Sequence, residues 1–137
     1  MGLILDSSII VAAERRRDTP ERLLQQIVAQ AGNQEVAISC IGLTEIVHAI
    51  YRAPSAVLRL RHQAFVSDLL AYLDVLPYTK STAWLAGRID GELRSVGVTV
   101  PSMDLLIGAI ALEIGYAVVT ANVRHFQLIP GLKIVTL

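Results

Sequence analysis

Three carboxylates and one amide stand where chemistry is possible: Asp6 in "LILDSSII", Glu45 in "LTEIVHAI", Asp104 in "VPSMDLLIG" and Asn122 in "VVTANVRHF". Each has a plainer reading when taken alone. Asp6 suits the N-cap of a helix that starts behind it, Asp104 the positive end of its own helix behind a capping Ser102, and Asn122 a turn. Glu45 is harder to explain locally, because Ile41, Leu43, Ile46, Val47 and Ile50 make its helix apolar on most sides, and an unpaired carboxylate there is costly. Brought to one crevice, the three acids would repel one another and raise each other's pKa unless a cation lay between them. Oxygen donors of this kind select a hard divalent ion, Mg²⁺ or Mn²⁺, which retains waters and accepts substrate phosphate into its shell. Such a centre polarises a phosphodiester and activates water against it. The chemistry is phosphodiester hydrolysis.

Short apolar strands and intervening helices must position these residues. Leu3 to Leu5, Val36 to Cys40, the "VLP" segment, Tyr116 to Thr120 and "LKIVTL" read as strands, and their continuous apolar character suits a sheet covered on both faces. Between them the helix signals are strong. Thr19, Pro20 and Glu21 open one helix and Gly32 closes it. Ser55 caps a long helix after Pro54, Ser81 or Thr82 caps the next, which ends at Gly97, and Gly115 stops the helix that begins at Met103. The alternation predicts an α/β fold, a three-layer α/β/α domain with a mostly parallel sheet. Sites in such sheets lie outside the carboxyl ends of the strands, which is where Asp6, Glu45 and Asn122 fall, with Asp104 in the first turn of the helix leading to the Tyr116 strand. The first helix cap then passes to Ser7 or Ser8, leaving Asp6 free.

Composition bounds the partners. At 137 residues with 53% apolar content the chain reads as a single domain spanning residues 1–137,. Twelve basic and twelve acidic residues cancel, so any binding of nucleic acid must come from local patches. Cys40 is the only cysteine and lies in an apolar setting, which excludes an intrachain disulfide and suggests packing. Met1 to Asp6 matches neither a signal peptide nor a myristoylation motif. The run from Leu105 to Leu112 stops at Glu113, short of the ~20 residues of a membrane span. The expectation is a soluble, cytoplasmic protein without a membrane partner.

With these residues in order, the chain resembles PIN-domain proteins, specifically the VapC-type toxins of prokaryotic toxin–antitoxin modules. The resemblance rests on "LDSSII", "LTEI", "GELRSVGVTVPSMDLLIGAIALEIG" and "VVTANVRHF", and it covers essentially the whole chain. It implies a Mg²⁺- or Mn²⁺-dependent endoribonuclease in which Asp6, Glu45 and Asp104 hold the metal and help activate water. RNA as substrate, a homodimer and a cognate antitoxin are implied with it. The family often has aspartate at the position of Asn122 and an Asp-Phe pair where His125-Phe126 stands, so this chain carries less negative charge there. Ser8 and Thr120 read as donors that orient carboxylates or water.

Arg124, Arg15 and Arg16 are the candidate contacts to RNA phosphates, although charge runs such as Arg15 to Arg17 or Arg52 to His62 are ordinarily solvated faces. His48, His62 and His125 show no metal-ligand spacing and read as structural or surface residues. Two other functions compete. A phospho-accepting Asp6 would want an acid at the position of Ser8 and a lysine after the Tyr116 strand, and both are absent. A non-catalytic RNA- or protein-binding module with the same fold would keep the scaffold and lose the metal.

Overall fold

Strand β1, Gly2–Leu5, is buried at all four residues, and its alternation divides the molecule. In the computed structural model, which describes residues 1–137, Leu3 and Leu5 pack into one apolar cluster and Ile4 into another, as successive side chains of a strand must. The chain continues through α1 (Ser7–Arg15), α2 (Pro20–Ala31), β2 (Glu35–Ser39), α3 (Cys40–Tyr51), α4 (Ala56–Leu70) and β3 (Asp74–Leu76). It then forms α5 (Lys80–Ser95), α6 (Ser102–Ile114), β4 (Ala117–Val119), α7 (Val123–Phe126) and β5 (Ile134–Val135). The strands lie in the order β3-β2-β1-β4-β5, and every pairing is parallel.

Helices α1 to α4 cover one face through Ile10, Leu23, Ile46 and Leu69. Helices α5 to α7 cover the other through Ile89, Ile107, Ile110 and Phe126. This is the three-layer α/β/α arrangement expected of a parallel sheet. Strand order runs outward from β1 on one side through β2 and on the other through β4, so the crevice beyond the carboxyl ends of β1 and β4 is the topological switch point. No helix is long and apolar enough to cross a membrane.

Local signals place most boundaries and miss several caps. Thr19 accepts from Arg22 N–H at the start of α2, and Ser55 does the same for Leu58 N–H at the start of α4. Gly115 ends α6 with φ of 73°, a left-handed turn that glycine adopts without strain. The cap of α5 is Thr79, in a reciprocal capping box with Thr82, and not Ser81 or Thr82. Glu113, reaching from α6, accepts from Ser81 and Thr82, which draws these hydroxyls into a contact between two helices. Strand β2 ends at Ser39, whose hydroxyl caps α3, so Cys40 opens a helix instead of closing a strand and is half-buried. Neither Ser7 nor Ser8 caps α1; the cap position is Asp6 by backbone geometry, with no side-chain capping bond. Ser102 likewise lies inside α6, whose cap position is Pro101.

Candidate active site

Asp6 leaves β1 at the switch point, and its backbone N–H donates to Val119 O at 2.9 Å, extending the β1–β4 ladder by one residue. Its side chain is 1% exposed and is gripped by two hydroxyls. Ser8 Oγ donates to Asp6 Oδ2 at 2.7 Å, and Thr120 Oγ1 donates to the same oxygen at 2.8 Å. Ala121 N–H donates to Ser8 Oγ and Asn122 N–H to Thr120 Oγ1, so each hydroxyl accepts one bond from the backbone and gives its one proton to Asp6. Both bonds fall on Oδ2, leaving Oδ1 for a further ligand.

Glu45 sits on α3, in the second turn beyond the Ser39 cap, and accepts from Ser7 Oγ at 3.3 Å. Burial pushes its pKa above the ordinary carboxylate range; the charges of Asp6 and Asp104 push it the same way, while the Ser7 bond opposes them. Asp104, 8% exposed, lies in the first turn of α6, and His125 Nδ1 donates to its Oδ2 at 2.7 Å. Its pKa is also raised, chiefly by burial and further by Asp6, against the opposing pull of His125. The three acids therefore feel one another, and no lysine or arginine pairs with any of them.

In this arrangement Glu45 is held by Ser7 and Asp104 by His125, and no three His, Cys, Asp or Glu side chains close around a single ion-sized position. The donor set nevertheless fits a hard divalent cation. It consists of carboxylate oxygens, each of the three acids keeps one oxygen without a hydrogen bond, and the like-charge part of the rise at Glu45 and Asp104 is what an intervening positive charge would relieve,.

That rise has a consequence for stability. A carboxyl whose folded pKa lies above its ordinary value, 4.5 for Glu45 and 3.8 for Asp104, holds more protons folded than unfolded across the interval between the two. Its favourable contribution is present below the ordinary value and is lost as pH rises through the folded one. In chelator, the melting temperature of the unmodified protein should therefore fall relative to that of Glu45→Gln as pH rises from about 4 to 7. Thermal melts across that range check it, and parallel curves would remove Glu45 from the repelling cluster.

The remaining candidates separate. Asn122 precedes α7 and is exposed; its backbone N–H serves the Thr120 hydroxyl and its side chain makes no capping bond. Arg124 is exposed on α7 without an ion-pair partner. Arg16 is turned away from the acids and pairs with Asp18 at 3.0 Å, because α1 ends there and the chain folds back toward α2. Arg15 is exposed and lines the rim of a cavity between α1, α3 and α4. A cleft of about 470 Å³ adjoins Glu45 and includes Ser7, His48 and Met103, whereas the larger hollow beside Trp84 on α5 touches none of the acids. His125 is the site residue that spacing does not find. Its signal is positional, since it occupies the place of the acid in the Asp-Phe pair.

Known proteins resemble this chain in sequence and fold. The PIN domain family model matches residues 3–132. Ribonuclease VapC1 of Rickettsia felis is 31% identical over 136 residues, covering 99% of this chain and 96% of that protein. The tRNA(fMet)-specific endonuclease VapC of Salmonella typhimurium is 30% identical over 118 residues, 86% of each chain. The crystal structure of DNA-bound VapBC from Salmonella typhimurium superposes with a TM-score of 0.82 at 26% identity, covering 99% of this chain and 98% of that one.

Proposed function

The chain belongs to the PIN domain family, and we propose accordingly that it is a single-domain endoribonuclease of the VapC toxin type, hydrolysing RNA phosphodiester bonds and neutralised by a cognate antitoxin. The observation that carries the reading is the convergence of Asp6, Glu45 and Asp104, from β1, α3 and α6, into one charge-coupled group with no basic side chain other than His125. The VapC relatives, matched along nearly the full chain, support the same activity. A homodimer in the cytoplasm belongs to the same proposal.

Asp6, Glu45 and Asp104 would hold Mg²⁺ or Mn²⁺, which supplies the Lewis acidity that polarises the phosphodiester and activates a water. The rest of the work falls to the chain. Ser8 and Thr120 fix the rotamer of Asp6 so that Oδ1 faces the crevice. Ser7 steers Glu45 toward the cleft, and His125 orients Asp104. Such partners of a ligating carboxylate restrict its motion and raise the fraction of time spent in a productive geometry. Asn122 and exposed Arg124 sit at the rim, where an amide can accept a hydrogen bond and a guanidinium can meet phosphate. Asp6 is a poor phospho-acceptor, being 1% exposed and held by two donors on one oxygen.

The test is cleavage of total tRNA by the purified, antitoxin-free chain. Fragments should appear with Mg²⁺ or Mn²⁺, cease with excess EDTA and return when the metal is restored. Cleavage at an unchanged rate in EDTA would eliminate the metal centre, and inert protein under every metal condition would favour a non-catalytic binding module.

A further inference from the structure

A second group of like charges converges away from the acids. Arg15, Arg17 and Arg61 line one cavity of about 420 Å³ between α1, α3 and α4, and none of the three takes part in an ion pair. The acid on its wall, Glu14, is engaged by His62, so the cavity keeps an excess of positive charge. As the acid cluster is suited to a cation, this one is suited to an anion.

The backbone holds one of these arginines in place under strain. Arg17 is the only residue other than glycine with positive φ, at 58°. It stands just past the end of α1, where its N–H donates to Glu14 O and that of Asp18 to Ala13 O. Glycine is the usual occupant of this turn, and a side chain there sits in a sparsely populated conformation of the kind that gathers at functional positions.

The cavity is not isolated. It shares Val11, Ile46 and Ala49 with the cleft that contains Ser7 and Glu45, so the arginines and Glu45 line adjoining hollows. Along α1, Ser7, Val11 and Arg15 recur every four residues on one face, and at 1.5 Å per residue Ser7 and Arg15 lie roughly 12 Å apart along the axis. An apolar floor suits nucleobases, and guanidinium groups suit phosphate through paired N–H donors.

We infer that this cavity is a second RNA subsite, resting on the ribonuclease reading above, in which Arg15, Arg17 and Arg61 hold backbone phosphates of the strand whose scissile bond lies beside Glu45. An acidic polypeptide would meet the same arginines. RNA is favoured because the cavity borders the cleft of Glu45 across Val11, Ile46 and Ala49, so one strand laid over those residues accounts for both ends. The subsite then sets which stretch of RNA reaches the acids.

The test uses the full chain in an Asp6→Asn background, so that RNA stays intact, and follows a fluorescein-labelled single-stranded RNA of mixed sequence by anisotropy at several salt concentrations. Arg17→Gly suits the left-handed backbone and keeps the fold, and Arg61→Gln keeps most of the side-chain length. Together they should weaken RNA binding about tenfold and lower the slope of log K against log salt by roughly 1.4, at ~0.7 per phosphate contact on a single strand. Arg17→Gly alone should also melt at or above the parent temperature, so that lost binding cannot be lost folding. Unchanged affinity and slope, with the unmodified protein still cleaving RNA, would overturn the subsite and leave the ribonuclease reading standing. Absence of RNA binding by the Asp6→Asn protein together with absence of cleavage by the unmodified protein would overturn both. Weakened binding of poly-L-glutamate with unchanged RNA affinity would assign the cavity to an acidic polypeptide and overturn the proposal.

Discussion

Asp6→Asn should lower RNA cleavage by roughly 10²- to 10⁴-fold while the fold persists, the loss expected when several kcal/mol of charge stabilisation disappear at about 1.4 kcal/mol per tenfold. The hydroxyl network makes the effect larger than the loss of one charge. Ser8 and Thr120 both donate to Oδ2 and have backbone N–H groups on their own oxygens, so they require an acceptor in that place. The amide oxygen of asparagine must fill it. Its NH₂ group is then directed where Oδ1 was, presenting donors to the position of the cation. Folding is retained because the shape is unchanged and the hydroxyls keep their acceptor, while Glu45 and Asp104 lose a repelling neighbour. Far-UV circular dichroism and a thermal melt report the fold, and a gel assay with total tRNA reports activity. Cleavage within tenfold of the unmodified protein would sink the assignment of Asp6.

Phe126→Ala should destabilise the protein by about 3–5 kcal/mol, a large share of the 5–15 kcal/mol typical of a whole domain. Phe126 is fully buried in the cluster formed by α5, α6 and the second face of the sheet, and it ends α7, a helix of only four residues. So short a helix has little stability of its own. It stays where it is because the phenyl ring anchors it. Asn122 precedes that helix and His125 is the residue before the ring in the chain, so the cavity left by alanine loosens the His125 bond to Asp104 as well as the core. Urea unfolding measures the first effect. Phe126→Leu, which refills most of the volume, should recover much of the stability, and a loss below 1 kcal/mol for alanine would show that the ring does not anchor α7.

Much of the site is legible in residue types and their order. Asp6 stands out because an apolar strand delivers it directly, and Glu45 because its helix is apolar on nearly every side. Gly115 marks the end of the helix carrying Asp104 and bounds the strand that follows. Partnerships across long stretches of chain are not legible in this way. Ser8 reads both as a helix cap and as a donor to a carboxylate. Ser7 looks only like a cap by local propensity, yet it bonds Glu45, and Ser8 also receives Ala121 N–H from 113 residues away. Tertiary contacts that satisfy a buried carboxylate outweigh a cap that water can replace. His125 reads as a structural or surface residue for the same reason, since its bond to Asp104 exists only after β4 and α7 bring the chain back.

The three consecutive arginines make the division plain. As a run, Arg15, Arg16 and Arg17 are one basic patch; in the structure the first faces a cavity, the second pairs with Asp18, and the third takes a left-handed backbone into that cavity. Residue order alone dictates the strands, the helices, the parallel sheet and the placing of acids at strand ends, because burial follows apolar periodicity and tolerates small shifts of position. Contacts between distant segments settle which hydroxyl holds which carboxylate, which histidine joins the site and which arginines remain without a counter-ion. Hydrogen bonds and ion pairs are made or lost over a few tenths of an ångström near 3 Å, a precision that residue type and spacing do not carry.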